Sequence, residues 1–205
     1  TIRMIIGRGW GQGPTHSQSL TPIFCNVPGL KVVMPTFASD AKNLLIKSIF
    51  DPNPVIFLEH RWLHGIKDED ILRKKEKKLI FSNVIKKGKD ITIVSMSYLT
   101  LESIKAVKML NNHGISCELI DLISLKPINY KSILNSVKKT RNLLILDPGF
   151  PHGSVASEIS SFVSRKKFKY LKSPPEIITM PDIPEPTSFQ LTKNLYINEN
   201  KIINK

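Results

Sequence analysis

Short apolar runs recur along this chain, each followed by a longer stretch whose apolar side chains return every three or four positions. A continuous apolar run has no polar face to turn toward water. As a strand it must be covered on both sides, and the periodic stretches between the runs supply the covering helices. The alternation predicts an α/β fold with mostly parallel sheets.

Ile2 to Ile6 reads as a strand, Gly7 to Gly13 as a glycine-rich loop, and Ser17 to Cys25 as a helix in spite of Pro22. Leu30 to Met34, bounded by Pro28-Gly29 and Pro35, is a buried strand. Thr36 is expected to cap a helix with Ala41, Leu44, Leu45 and Ser48 on one face and Asp40 near the positive end of its dipole. Asp51-Pro52-Asn53-Pro54 ends that helix, because proline disfavours helical geometry in the residue before it. Val55 to Leu58 is the next strand.

From Ile66 to Lys89 the chain turns charged, which predicts a connector (66–89) carrying one or two edge strands between a first unit (1–65) and a second (90–205). The second unit repeats the alternation. Ile91 to Ser95, Cys117 to Ile120, Leu143 to Leu146 and Ile177 to Met180 read as strands. Thr100 is expected to cap a helix with Leu101, Ile104, Val107 and Leu110 on one face, closed by Gly114. Asn129 starts a helix carrying Ile133, Leu134 and Val137, and one from about Gly153 sets Val155, Ile159, Phe162 and Val163 on an amphipathic face.

No run reaches the roughly 20 apolar residues needed to cross a bilayer, and the start is too short for a signal-peptide core, so a soluble, cytoplasmic protein is expected. The chain opens at Thr1 inside a strand, which reads as part of something longer. Cys25 and Cys117 form neither a disulfide framework nor a metal pattern and read as buried thiols. The net charge of +13 invites an acidic partner. Its basic residues fall in short runs, Arg73–Lys78, Lys86–Lys89 and Arg165–Lys169, at apparent loop or helix ends, so solvated surface is expected rather than nucleic-acid binding.

Candidate chemistry sits in two places. Gly7 to Gly13 lacks both the G-x-G-x-x-G spacing and the terminal Lys-Ser/Thr of phosphate loops, so its glycines are assigned to positive φ or a close backbone approach. Pro14 to Gln18 then presents His16 before an expected helix start, where the dipole would keep the imidazole neutral and able to shuttle protons. A structural histidine fits the same residues. His60 and His64 are four apart but follow a strand and lack a third ligand, so no metal is expected there. His113 beside Gly114 reads as a helix end, and His152 as a capping or interface residue.

Read together, "GPTHSQSLTPIFCNVPGLKVVMPTFASDAKNLLIKSIFDPNPVIFLEHRWLHG" resembles the beta subunit of the thiamine diphosphate-dependent first component of 2-oxo acid dehydrogenase complexes, of the pyruvate type. The motifs are His16-Ser17-Gln18, Pro28 to Val33, Asp40 to Leu45, Asp51 to Val55 and Leu58-Glu59. The stretches "DITIVSMSY", "CELIDLISLKPIN", "KKTRNLLILDPGFPHGSVASEIS" and "MPDIPEPTS" are similar to that subunit's C-terminal transketolase domain.

The resemblance implies that 1–65 is the C-terminal half of a pyrimidine-binding domain and that 90–205 is a transketolase C-terminal domain. It implies a parent enzyme that decarboxylates a 2-oxo acid and transfers the acyl group to lipoamide, with His16 in the active site at a subunit interface. Thiamine diphosphate and magnesium are the implied cofactors, with the diphosphate and metal held by an alpha subunit. The glutamate that drives ylid formation lies upstream of Thr1 in the family, so the chain alone is expected to be inactive. In some members backbone oxygens hold a potassium ion, which would fall at Ser48, Asp51 and Asn53. The implied partners are the alpha subunit, a second beta subunit, dimerised through the C-terminal domain, and a lipoyl acyltransferase core, in the cytoplasm or an organelle matrix. Arg61-Trp62-Leu63-His64 and Glu185-Pro186-Thr187-Ser188 depart from the family's usual residues and leave the acyl group open. The competing readings are a transketolase-like ketol transfer enzyme and a non-catalytic module that docks a complex partner through its basic surface.

Overall fold

The computed structural model describes residues 1–8, 11–67 and 82–205. The first part runs β1 (Ile2–Ile6), α1 (Gly13–Ser17), α2 (Thr21–Cys25), β2 (Lys31–Val33), α3 (Ala38–Ile49) and β3 (Val55–His60), then one 3-10 turn at Arg61–Leu63. It continues with β4 (Ser82–Lys86), β5 (Ile91–Ser95), α4 (Tyr98–Asn112), β6 (Cys117–Leu122), β7 (Ser124–Lys126), α5 (Tyr130–Thr140), β8 (Leu143–Leu146) and α6 (Val155–Lys167). A 3-10 turn at Phe168–Tyr170, β9 (Glu176–Ile178), α7 (Phe189–Thr192) and α8 (Glu199–Ile203) complete it.

Two mostly parallel sheets result, as the alternation predicts. The first has the order β1-β3-β2-β7, with the first three strands parallel and β7 antiparallel to β2. The second has the order β4-β6-β5-β8-β9, parallel except for the antiparallel edge strand β4. Strand β7 was not foreseen. It comes from the second part of the chain but joins the first sheet, aligning Val32 with Lys126 and Val33 with Ser124.

The seam between the sheets is buried and polar at one point. Asp121, fully buried on β6, accepts the Thr36 hydroxyl at 2.8 Å and the Thr100 hydroxyl at 2.7 Å. The Thr36 hydroxyl also lies 3.2 Å from the Ser97 carbonyl, and the Met34 amide donates to the Ile123 carbonyl at 2.8 Å. Nearby, the Lys126 ammonium donates to the Cys25 and Val27 carbonyls. Around these bonds a single apolar cluster takes in Val32, Met34 and Leu58 from the first sheet and Val94, Ile120 and Ile145 from the second.

These bonds explain where the local sequence reading fails. Thr36 does not cap α3; Phe37 occupies that position without a side-chain bond, because the Thr36 hydroxyl is committed across the seam. Thr100 likewise lies inside the first turn of α4 rather than capping it, and Ser97 precedes the helix with φ 56°. The buried face of α4 is therefore Leu99, Ser103, Ala106 and Val107, while Ile104 is exposed. The expected helix over Ser17 to Cys25 is two short helices broken at Gln18–Leu20.

Elsewhere pattern and structure agree. Gly114 closes α4 at φ 80°, and Ile133 and Val137 are the buried face of α5. Ser154 caps α6 by accepting the Ser157 amide at 3.0 Å, while Val155, Ile159 and Val163 point inward. Phe162 stacks on Tyr130 at 3.8 Å.

Removing the seam carboxylate by Asp121→Ala takes away the shortest acceptor of two buried hydroxyls, Thr36 and Thr100. Chemical denaturation should show a loss of about 2–4 kcal/mol; a loss under about 0.5 kcal/mol, the scale of an ordinary surface substitution, would contradict the assignment.

Candidate active site

The glycine loop leaves β1 at the carboxyl end of the first sheet, where open α/β sheets place their ligands. Gly7 has φ +77°, and a Cβ there would lie 2.2 Å from Nε2 of His60. Gly11 and Gly13 also have positive φ, and a Cβ on Gly13 would lie 2.6 Å from the Thr187 hydroxyl. The glycines therefore serve both assignments made from the sequence: a backbone that L side chains rarely adopt, and a close approach to other parts of the chain.

The loop feeds directly into α1, which carries His16. Here the structure corrects the expectation. His16 does not precede a helix start; it lies in the last turn of the five-residue α1, so the argument from a helix N-terminus does not apply. The physical reason is Pro14, whose fixed φ suits the first turn and starts the helix early. His16 is exposed, while the neighbouring Ser17 is buried. The Gln18 side chain turns back and donates to the Pro14 carbonyl at 2.7 Å, closing the short helix.

His16 stands on an open groove of about 370 Å³ whose apolar wall is Met4, Ile5, Ile6, Leu20 and Phe24. Arg61 lines the same groove, and among the described residues no carboxylate does. An imidazole and a guanidinium over an apolar floor make a site for a small organic anion, with the imidazole able to hold or pass a proton. Arg61 is the functional candidate that sequence reasoning passed over. Its signal was available in the departure Arg61-Trp62-Leu63-His64, but spacing alone could not bring it beside His16.

His60 fixes the direction of Arg61. It ends β3, is almost wholly buried, and its Nδ1 accepts the Trp62 amide at 3.3 Å, which caps the turn at Arg61–Leu63. Nε2 then carries the ring proton. Burial, with the nearby charges of His64 and Arg61, pushes the His60 pKa down to about 3, so it is a neutral structural group. Its ring packs on Tyr98 at 4.4 Å and on Trp62 at 5.3 Å, and Trp62 reaches Tyr196 at 4.5 Å.

At the proposed potassium turn the side chains have other partners. Both Asp51 oxygens accept from the Lys31 ammonium, at 2.8 and 2.6 Å, and Oδ1 also accepts the Asn53 amide groups at 2.9 Å. Lys31 and then Asn53 hold the Asp51 carboxyl down at about 2. The Ser48 hydroxyl donates to the Leu44 carbonyl, and the Ser48 carbonyl accepts from the Thr1 hydroxyl at 2.6 Å.

The remaining sequence candidates lie away from this groove. Among the described residues no three His, Cys, Asp or Glu converge to hold a metal. His113 follows the last residue of α4, just before Gly114, and exposed His152 lies 3.4 Å from Asp182. Cys117 is buried; Cys25 is only half-buried, and burial pushes its thiol up to about 12, so it is not a reactive thiolate. The Arg165–Lys169 run ends α6, with Lys167, Lys169 and Lys138 gathered around the Tyr170 ring. The Arg73–Lys78 run lies outside the described residues.

Comparison with known proteins gives the family of both parts of the chain. Residues 2–65 match the transketolase pyrimidine-binding domain and residues 82–202 the transketolase C-terminal domain. The chain is 37% identical over 196 residues to the beta subunit of acetoin:2,6-dichlorophenolindophenol oxidoreductase from Cupriavidus necator, covering 96% of this chain and 58% of the relative. It is 37% identical over 188 residues to the pyruvate dehydrogenase E1 component subunit beta of Rickettsia felis, covering 92% of this chain and 58% of that protein. The mitochondrial pyruvate dehydrogenase E1 component subunit beta of Chaetomium thermophilum is also 37% identical, with 98% of this chain and 54% of that protein covered. The chain thus spans little more than half the length of these relatives. Among solved structures, a split-gene transketolase described as an inactive beta4 tetramer superposes with a TM-score of 0.78 at 18% identity, over 98% of this chain and 64% of the other.

A histidine kept neutral by burial opposes folding once the unfolded chain begins to take up a proton. Stability owed to His60 should be complete above about pH 6.5 and fall by roughly 1.4 kcal/mol per unit as pH drops toward 3. In a ring-carbon NMR titration His60 should remain neutral at pH 5; a midpoint near 6.5 in the folded protein would contradict its placement.

Proposed function

Because the chain belongs to the transketolase family, beside the E1 beta subunits of pyruvate dehydrogenase, we propose that it serves as beta-subunit sequence of a thiamine diphosphate-dependent 2-oxo acid dehydrogenase. In this reading the assembled enzyme decarboxylates a 2-oxo acid and passes the acyl group to lipoamide. The observation that carries it is His16, inside the His16-Ser17-Gln18 motif, on an apolar-walled groove that Arg61 also lines. Arg61 anchors the substrate carboxylate and selects an anion. The apolar wall from Met4 to Phe24 takes the acyl chain. His16 holds and returns a proton at the substrate's oxygen.

Thiamine diphosphate, when bound, supplies the electron sink that decarboxylation requires. The described residues do not fit its magnesium, since no three potential ligands among them converge and none of those lining the groove is a carboxylate. The metal and diphosphate belong, in this reading, to the alpha subunit, and no step is assigned to them here. The side chains of the Ser48–Asn53 turn do not fit a potassium ion either, because Lys31 already neutralises Asp51 and Asn53 donates to it. Only main-chain oxygens of that turn remain for potassium.

The chain divides into 1–65 as the second half of the pyrimidine-binding domain, a connector, and a C-terminal domain over 90–205 that dimerises with a second beta subunit. The lipoyl acyltransferase core is the further partner. The whole works in an aqueous compartment, cytoplasm or organelle matrix; no described helix is long and apolar enough to cross a membrane.

In the enzyme assembled from the full-length chain and its alpha partner, His16→Ala should lower turnover by about 100-fold or more. Arg61→Ala should raise the KM for the 2-oxo acid by roughly tenfold or more. Near-native turnover of folded His16→Ala would overturn the assignment. Calorimetry of the 205-residue chain alone should show no tight binding of thiamine diphosphate with magnesium.

A further inference from the structure

Five residues of helix are too few to hold a shape unaided, so the direction in which α1 presents His16 must come from what surrounds it. On the solvent side is the open groove. On the other side, the glycine loop that leads into α1 lies against a segment near the far end of the chain, Glu185 to Phe189, together with Tyr196.

The contacts are specific and buried. The Arg8 amide donates to the Tyr196 hydroxyl at 2.9 Å, and that hydroxyl donates in turn to the Glu185 carboxylate at 2.9 and 3.1 Å. The Arg8 guanidinium donates to the Thr187 carbonyl at 3.0 Å and lies 5.5 Å from the centre of the Phe189 ring. Arg8, Glu185 and Tyr196 are each at least nine-tenths buried. The backbone of Gly13, the first residue of α1, passes so near the Thr187 hydroxyl that a Cβ would collide with it, and Gly11 approaches the Thr187 carbonyl. Ser17, immediately after His16, is buried and lines the same cavity as Glu185 and Tyr196.

We infer that Glu185, Thr187 and Tyr196 are positioning residues for His16: through the Arg8 bonds and the Gly11–Gly13 contact they set the angle at which α1 aims the imidazole into the groove. This rests on the proposed role of His16 and goes beyond it, because it assigns a functional task to a segment with no side chain on the groove. The charge arrangement suits the task. A buried carboxylate and a buried guanidinium, each with a directed donor or acceptor, tolerate little displacement, since a shift breaks those bonds away from water. A purely apolar contact would permit sliding.

Two conservative variants test it. Tyr196→Phe removes the hydroxyl that links Arg8 to Glu185 and keeps the ring beside Trp62; Glu185→Gln keeps the shape and removes the charge. In the isotope-labelled 205-residue chain, either change should shift or broaden the His16 imidazole resonance while His113 and His152 stay put as controls for the fold. In the enzyme assembled from the full-length chain, either should lower kcat by roughly tenfold with the KM for the 2-oxo acid within about twofold. In a His16→Ala background the same change should cost little more, as expected of groups that act through one another. If Tyr196→Phe unfolds the chain, so that all the histidine signals collapse, Glu185→Gln decides. An unmoved His16 resonance in a folded variant, or losses that simply add to that of His16→Ala, would overturn the inference. Should His16→Ala prove harmless to turnover, the functional reading falls while the resonance still reports on the positioning.

Discussion

The buried carboxylate of Asp121 is the point on which the two sheets depend. It accepts hydroxyls from Thr36, at the exit of the first sheet, and from Thr100, inside the helix that covers the second. A charge-bearing group this deep is tolerable only while its acceptors are filled, so both hydroxyls must stay in place. Strand β7 and the Met34–Ile123 bond extend the same seam, and the apolar cluster runs through it without interruption. The first sheet, with a half-exposed edge strand in β1, leans on the second for its order.

That dependence reaches the candidate active site. The loop carrying His16 is attached at one end to β1 and His60, and at Arg8, Gly11 and Gly13 to Thr187 and Tyr196. The groove takes His16 from α1, Arg61 from the turn after β3 and its wall from β1, so three separated stretches must agree before it exists. His60 contributes no charge; it fills the space under Gly7 and caps the turn that carries Arg61.

Much of the fold is legible in the sequence because burial on both faces leaves a local trace. Val32-Val33, Ile91–Ser95 and Leu143–Leu146 are apolar runs that can only be interior strands, and they are. What could not be read was set by partners far along the chain. Thr36 and Thr100 look like caps, but a carboxylate on β6 claims both hydroxyls. Ser124–Lys126 is too short and polar to announce a strand, and it becomes one only by pairing with β2. At the site, the close-approach role of the glycines and the importance of His16 were visible in the motif, whereas Arg61 needed the turn after β3 to bring it to the groove. Pro14 to Gln18 was expected to present His16 before a helix start, yet Pro14 starts α1 early and puts His16 at the helix end.

The central physical claim is that both sheets and the His16 loop form one cooperative unit closed by the seam at Asp121. Native-state hydrogen exchange tests it most directly, by comparing the opening free energies of the amides in β2 and β3 with those in β5 and β6. The account predicts that the slowest amides of both sheets open together, with the same free energy and the same denaturant dependence. Exchange of β2 and β3 through a separate, distinctly lower-energy opening, with β5 and β6 still protected, would contradict it.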